Sequence, residues 1–202
     1  MTPVGDGGPA VRRLAGWDAE DLIALAAEYD TPLYVLDCDR VAENCTRLRT
    51  AFPNADVSYA VKAHTGRSVL RTVREAGFDA ECASAGEVER AFHAGFTGER
   101  IRYTAVNPPG RDLDRVVERW RGTPGLTVTV GAADTVDRLR DRGFDGRLCV
   151  RANPGVGAGH HEKVRTGANA KLGIPIERVA DLAAAWSGEV DLSVSCIHLR
   201  AH

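Results

Sequence analysis

The stretch Asp56-Val57-Ser58-Tyr59-Ala60-Val61-Lys62-Ala63-His64 decides how the rest of the chain is read. Small, apolar and aromatic residues alternate through it in the manner of a short buried strand, and its exit carries a lysine followed by Ala63, His64, Thr65 and Gly66. Lysine is scarce here: Lys62, Lys163 and Lys171 are the only three, and arginine supplies the rest of the 26 basic residues. Arginine keeps its proton, whereas a partly buried lysine can lose one and attack a carbonyl. A lysine retained at the end of an apolar strand is therefore a candidate for amine chemistry. In isolation the plainer reading is a surface lysine with a snorkelling stem, so the neighbouring segments have to decide.

With 202 residues, 44% of them hydrophobic and 27% charged, the chain can bury a sizeable core and has the size of one ordinary globular domain. A net charge of -2 gives no electrostatic footprint for nucleic acid or an anionic membrane surface. The five cysteines, Cys38, Cys45, Cys82, Cys149 and Cys196, are odd in number, widely spaced and form no CxxC pair. Free, reduced thiols in a cytoplasmic protein are expected. Met1 to Pro9 is rich in glycine and proline, with neither a basic region nor an apolar run, and reads as a frayed lead-in rather than a signal or a membrane span.

Asp18 is placed to cap a helix running to Tyr29, with Leu22, Ile23, Leu25 and Ala26 on one stripe. Thr31-Pro32 stops it; Leu33-Tyr34-Val35-Leu36-Asp37 reads as a short strand, and a second helix is expected from about Asp39 to Ala51. Strand-like cores then recur around Val57, Ala80, Ile101, Val128, Val150 and Val194, with helical patterns between them beginning near Thr65, Ala85, Gly110, Ala132 and Pro175. The spacing is that of βα units in a parallel sheet. Ala76-Gly77-Phe78, Ala94-Gly95-Phe96 and Arg142-Gly143-Phe144 each put a glycine where a left-handed C-terminal cap is needed, with an aromatic to pack back behind it. Such uniform joints favour a (β/α)8 barrel of the TIM type over a doubly wound sheet.

A barrel carries its functional groups at the C-terminal ends of its strands. Lys62 follows the first strand, Glu81 and Ser84 close the second, Arg151 and Asn153 close the fifth, and His198, Arg200 and His202 alternate along the sixth. Arg151 at the end of an apolar strand calls for an anion or an acceptor. Ser84 with Glu87 forms a capping box, a structural role at least as good as ligand contact. Gly155-Val156-Gly157-Ala158-Gly159 lacks GxGxxG spacing and opens no helix, so it reads as part of a loop of about 20 residues and not as a dinucleotide site. His160 and His161 are adjacent, point apart and find no third ligand at a suitable spacing, so no metal site is expected.

Tyr59-Ala60-Val61-Lys62-Ala63, Ala83-Ser84-Ala85-Gly86-Glu87, Arg151-Ala152-Asn153-Pro154, and Thr166-Gly167 followed by Lys171-Leu172-Gly173 resemble, in order and spacing, the fold type III pyridoxal-phosphate decarboxylases. The resemblance runs from about Thr31 to the end and implies a barrel of the alanine racemase N-terminal type. It divides the chain into a lead-in and helix over 1–30 and a cofactor-binding barrel portion over 31–202. It also implies pyridoxal 5'-phosphate held covalently by Lys62, with Glu81 and Arg151 as cofactor contacts and a histidine of the sixth strand stacked on the cofactor ring. Straight alignment gives His198 the first histidine of that motif and puts Arg200 at the stacking position; a local shift gives the role to His202. The implied reaction is decarboxylation of a small amino acid, meso-diaminopimelate, with ornithine, arginine or carboxynorspermidine as alternatives, in a homodimeric enzyme that uses neither nucleic acid nor membrane. Six strands do not close a ring of eight, so the expectation is the N-terminal portion of such a barrel, cut after the sixth strand and lacking the family's C-terminal β domain, either as an inactive product or as one half of a split enzyme.

Overall fold

The computed structural model describes residues 17–153, 173–186 and 190–191. The chain divides into two compact units, 1–37 and 38–202. In the first, α1 (Ala19–Tyr29) starts where the cap places it, with Asp18 Oδ1 accepting from the Glu20 N–H at 2.8 Å. None of its residues is buried, and Ile23, on the apolar stripe, is 69% exposed. The strand expected over Leu33–Asp37 does not form: these residues join no sheet, and Tyr34 is fully exposed. An apolar run becomes a strand only by finding a ladder partner for its backbone groups, and among the described residues this one has none.

The second unit opens with α2 (Cys38–Ala51) and then alternates: β1 (Ser58–Ala60), α3 (Arg67–Glu75), β2 (Asp79–Cys82), α4 (Ala85–His93), β3 (Ile101–Thr104), α5 (Gly110–Gly122), β4 (Thr127–Val130), α6 (Ala133–Arg140) and β5 (Leu148–Val150). The short strands β6 (Ala152–Asn153) and β7 (Ile174–Pro175) follow, then α7 (Ile176–Ala184) and β8 (Val190–Asp191). The strand expected near Val194 is thus present at 190–191, while Val194 itself lies outside the described residues. The main sheet has the order β1-β2-β3-β4-β5-β8, every pair parallel. Each strand lies beside its predecessor with no reversal of direction, the winding of a barrel wall; a doubly wound sheet would reverse its order at a switch point. β6 and β7 pair with each other in a separate parallel ladder at the end of β5.

Alternation along the strands gives this wall two unlike faces. Ala80 and Cys82 on β2 are in register with Ile101 and Tyr103 on β3, and Tyr103 is in register with Val128 on β4. These residues are buried in the core with Leu70 and Val73 of α3, Val88 of α4 and Leu113 of α5. The opposite face is polar. Ala60 is in register with Glu81, Glu81 with Arg102, and Arg102 with Thr127; two residues further on, Thr104 faces Thr129 and donates to its hydroxyl at 3.1 Å.

The three glycine joints form as read. Gly77, Gly95 and Gly143 have φ of 86°, 90° and 69°, and the N–H of Phe78, Phe96 and Phe144 reaches back five residues to Val73, Ala91 and Leu139, completing Schellman caps. Arginine completes these helix ends. Arg49 of α2 donates to Ala76 O at the end of α3 (2.8 Å), Arg74 of α3 to Ala94 O at the end of α4 (2.8 Å), and Arg140 of α6 to Ala185 O at the end of α7 (2.9 Å). Arg121 of α5 does the same for Arg142 O after α6. A guanidinium with several fixed donors satisfies carbonyls that have no helical partner and sits at the negative end of the helix dipole. Arg74→Ala is expected to lower the unfolding free energy by about 1 kcal/mol, read as a reduced urea midpoint at unchanged slope.

Candidate active site

Lys62 lies in a 3-10 turn, Val61–Ala63, directly after β1, at the C-terminal edge of the wall. Glu81 lies one strand over, in register with Ala60, and is half-buried on the polar face. Arg151 follows β5, its N–H donating to Val130 O at 2.8 Å and its carbonyl accepting from the Ile174 N–H at 2.8 Å. It too is half-buried, and its stem lies beside Gly131, where a Cβ would make an ordinary contact of 3.8 Å with Arg151 Cδ. The three residues thus share one edge of the sheet, with Lys62 and Glu81 on neighbouring strands and Arg151 three strands beyond Glu81. His198, Arg200 and His202, with the glycine loop and His160-His161, lie outside the described residues.

One expectation is corrected. The amine was to be partly buried, yet Lys62 is exposed. Val61 takes the buried place at this strand end, with no exposed surface, and among the described residues β1 pairs only with β2. The turn therefore lifts the next residue off the wall.

The capping box forms with a shift. Ser84 Oγ accepts from the Glu87 N–H at 3.2 Å, but Glu87 reaches back to the Ala83 N–H at 2.8 Å and not to that of Ser84. Glu87 and Ser84 therefore fix the end of β2 next to Glu81. Cys82, alternate to Glu81, faces the core, where burial pushes its thiol well above the ordinary range, with the Glu87 and Glu81 carboxylates adding to the effect. It is an inert packing group. Cys38 and Cys45 are free thiols, and Cys196 lies outside the described residues.

Sequence reading missed the support around Lys62. The Tyr59 hydroxyl donates to His64 O at 3.4 Å, and burial raises the Tyr59 pKa further from neutrality, so the donor keeps its proton. It also missed the strand pair β6–β7, two-residue elements too short to leave a periodic signal. Gly173 was the available clue there: its φ is 95°, and it packs on the backbone of residues 151–153.

A consecutive, all-parallel βα wall with a polar face defines a barrel-type α/β protein, and it carries a primary amine at one rim. The sequence profile described as "Pyridoxal-dependent decarboxylase, pyridoxal binding domain" matches residues 38–200, and the chain belongs to that family. It is 36% identical over 188 residues to the diaminopimelate decarboxylase of Methanothermobacter thermautotrophicus, covering 90% of this chain and 42% of that protein. The diaminopimelate decarboxylase of Escherichia coli K12 is 35% identical over 162 residues, 77% of this chain and 36% of the relative. Among solved structures, a diaminopimelate decarboxylase matches with a TM-score of 0.68 at 30% identity, over 85% of this chain and 41% of that one. An SrLDC mutant solved in complex with PLP matches with a TM-score of 0.67 at 25% identity, over 83% of this chain and 41% of that one. The chain therefore spans less than half the length of these relatives.

The residues present fit pyridoxal phosphate. Its aldehyde needs a primary amine, which Lys62 offers in the open at the rim. Its anionic groups need a cation, and Arg151 stands at the same edge.

Proposed function

We propose that this protein is a carboxy-lyase that converts meso-diaminopimelate to L-lysine and carbon dioxide, a step of lysine biosynthesis in the cytoplasm. The observation that carries this reading is Lys62 at the exit of β1, on the rim of a consecutive parallel wall. The two curated diaminopimelate decarboxylases, 36% and 35% identical, support the substrate. Residues 31–202 make up the cofactor-binding portion, and the working enzyme is a homodimer.

Pyridoxal phosphate, once bound, supplies the electron sink that accepts the pair left behind by the departing carboxylate. The chain's own residues prepare for this. Lys62 anchors the aldehyde covalently and gives way to the substrate's amino group, after which its Nζ holds a proton at the rim. Glu81, on the adjacent strand, provides a carboxylate as counter-charge to that ammonium group. Arg151 offers its guanidinium to anionic groups of the cofactor, a bidentate match that lysine would not reproduce.

Carbon dioxide release from meso-diaminopimelate, ornithine and arginine, each with added cofactor, tests the assignment. The expected order puts diaminopimelate ahead by at least about a hundredfold in kcat/KM, since a site built to bind its second ammonium-carboxylate centre leaves polar groups unpaired with the other two. Equal or greater rates with ornithine or arginine would refute the substrate.

A further inference from the structure

The turn that presents Lys62 is held together by His64. The His64 N–H donates to Val61 O at 3.1 Å, closing the 3-10 turn, and its carbonyl accepts from the Tyr59 hydroxyl at 3.4 Å. Its ring Nδ1 accepts from the Gly66 N–H at 3.0 Å. That bond needs a lone pair on Nδ1, so it forms only in the tautomer whose proton is on Nε2. Gly66 is the N-cap of α3 and has no side chain to meet the unpaired N–H groups of this end. The imidazole, two residues upstream, takes over part of that work.

Gly66 has φ of -63°, which any residue adopts, so backbone conformation is not why a glycine stands here. A Cβ at this position would lie 2.5 Å from His64 Cε1 and 2.9 Å from His64 Nδ1, so a side chain here would push the exposed ring off its seat. The ring is seated directly on the glycine. Lys62 is in the middle of the turn and exposed, so the place from which its amine acts is set by the turn's backbone and not by walls around the side chain.

We propose that His64 is a positioning residue for Lys62: by clamping onto Gly66 it fixes the turn between β1 and α3 and thereby the approach of the amine to the cofactor's aldehyde. The inference rests on Lys62 being the attachment point. Amine and aldehyde condense with loss of one water, and the rate of that condensation depends on how much of the time the turn holds the competent conformation.

The test follows adduct formation with pyridoxal phosphate, trapped by borohydride, in the wild type, His64→Ala, His64→Asn, Gly66→Ala and the double variant His64→Ala/Gly66→Ala, with amide hydrogen exchange at residue 66 measured in parallel. His64→Ala and Gly66→Ala are each expected to slow trapping about five- to tenfold, the range of a lost cap. His64→Asn, whose amide oxygen can accept the same N–H, should stay within about twofold of the wild type. The double variant should be no slower than either single one, because an alanine at 66 collides only with the imidazole. Faster exchange at residue 66 with unchanged trapping in His64→Ala would overturn the proposal and leave His64 as a cap of α3 alone. A wild type that gives no adduct at Lys62 would instead refute the reading of Lys62 itself, an outcome separate from any difference among the variants.

Discussion

Lys62→Ala is expected to abolish borohydride-trappable attachment of pyridoxal phosphate and to lower decarboxylation by about a thousandfold or more. Removing the group that makes the covalent bond costs a factor of that order or larger where it has been measured in other enzymes. The change should leave the fold intact, because Lys62 is exposed and the buried neighbour, Val61, is untouched. Stability is therefore the internal control: the urea midpoint should move by less than about 0.5 kcal/mol equivalent, as for other surface substitutions. Lys62→Arg should be as inactive as the alanine variant, since a guanidinium keeps its charge and does not condense with an aldehyde. Activity retained in either variant would remove the amine from the mechanism.

The second large effect falls on stability and reaches the site through the backbone. Gly173 has φ of 95°, and a Cβ there would lie 3.0 Å from Asn153 N, 3.1 Å from Ala152 C and 3.2 Å from Arg151 O. Those are main-chain atoms of the segment that ends β5 and forms β6, and they have no flexible end to swing aside. Gly173→Ala is expected to cost about 2–3 kcal/mol of unfolding free energy, from the left-handed backbone and the close contact together. It should also weaken cofactor binding, because Arg151 O is one of the atoms that must shift and its carbonyl receives the N–H of Ile174. Gly122→Ala in α5 is the matched comparison: nothing lies within 4 Å of a Cβ there, and removing a glycine from a helix should be neutral or slightly stabilising. Denaturant unfolding gives the first quantity and fluorescence titration with pyridoxal phosphate the second.

Much of the wall was legible because period and punctuation agree along it. The glycine-aromatic joints at 77–78, 95–96 and 143–144 specify helix ends by a requirement for positive φ, which few residues other than glycine meet. The apolar residues between them then leave little choice of strand. Lys62, Glu81 and Arg151 could be placed at one sheet edge because a parallel wall puts every strand exit on the same side.

What escaped has physical causes. Leu33–Asp37 has the composition of a strand but joins no sheet among the described residues, and pairing is a property of the whole chain that local composition does not contain. The exposure of Lys62 follows from the 3-10 turn after β1, which alternation along the strand does not reveal. The arginine-to-carbonyl contacts join residues 20 to 45 positions apart, beyond any local pattern. The clamp between His64 and Gly66 is local, yet a histidine two residues before a helix has no fixed meaning until the ring's direction is known.

With only three lysines in the chain, covalent anchoring at Lys62 is open to direct measurement. The protein is incubated with pyridoxal phosphate, reduced with borohydride, digested and mapped by mass spectrometry. The predicted result is a stoichiometric phosphopyridoxyl modification on the peptide containing Lys62, with Lys163 and Lys171 unmodified. Modification spread over all three lysines, or confined to Lys163 or Lys171, would contradict it.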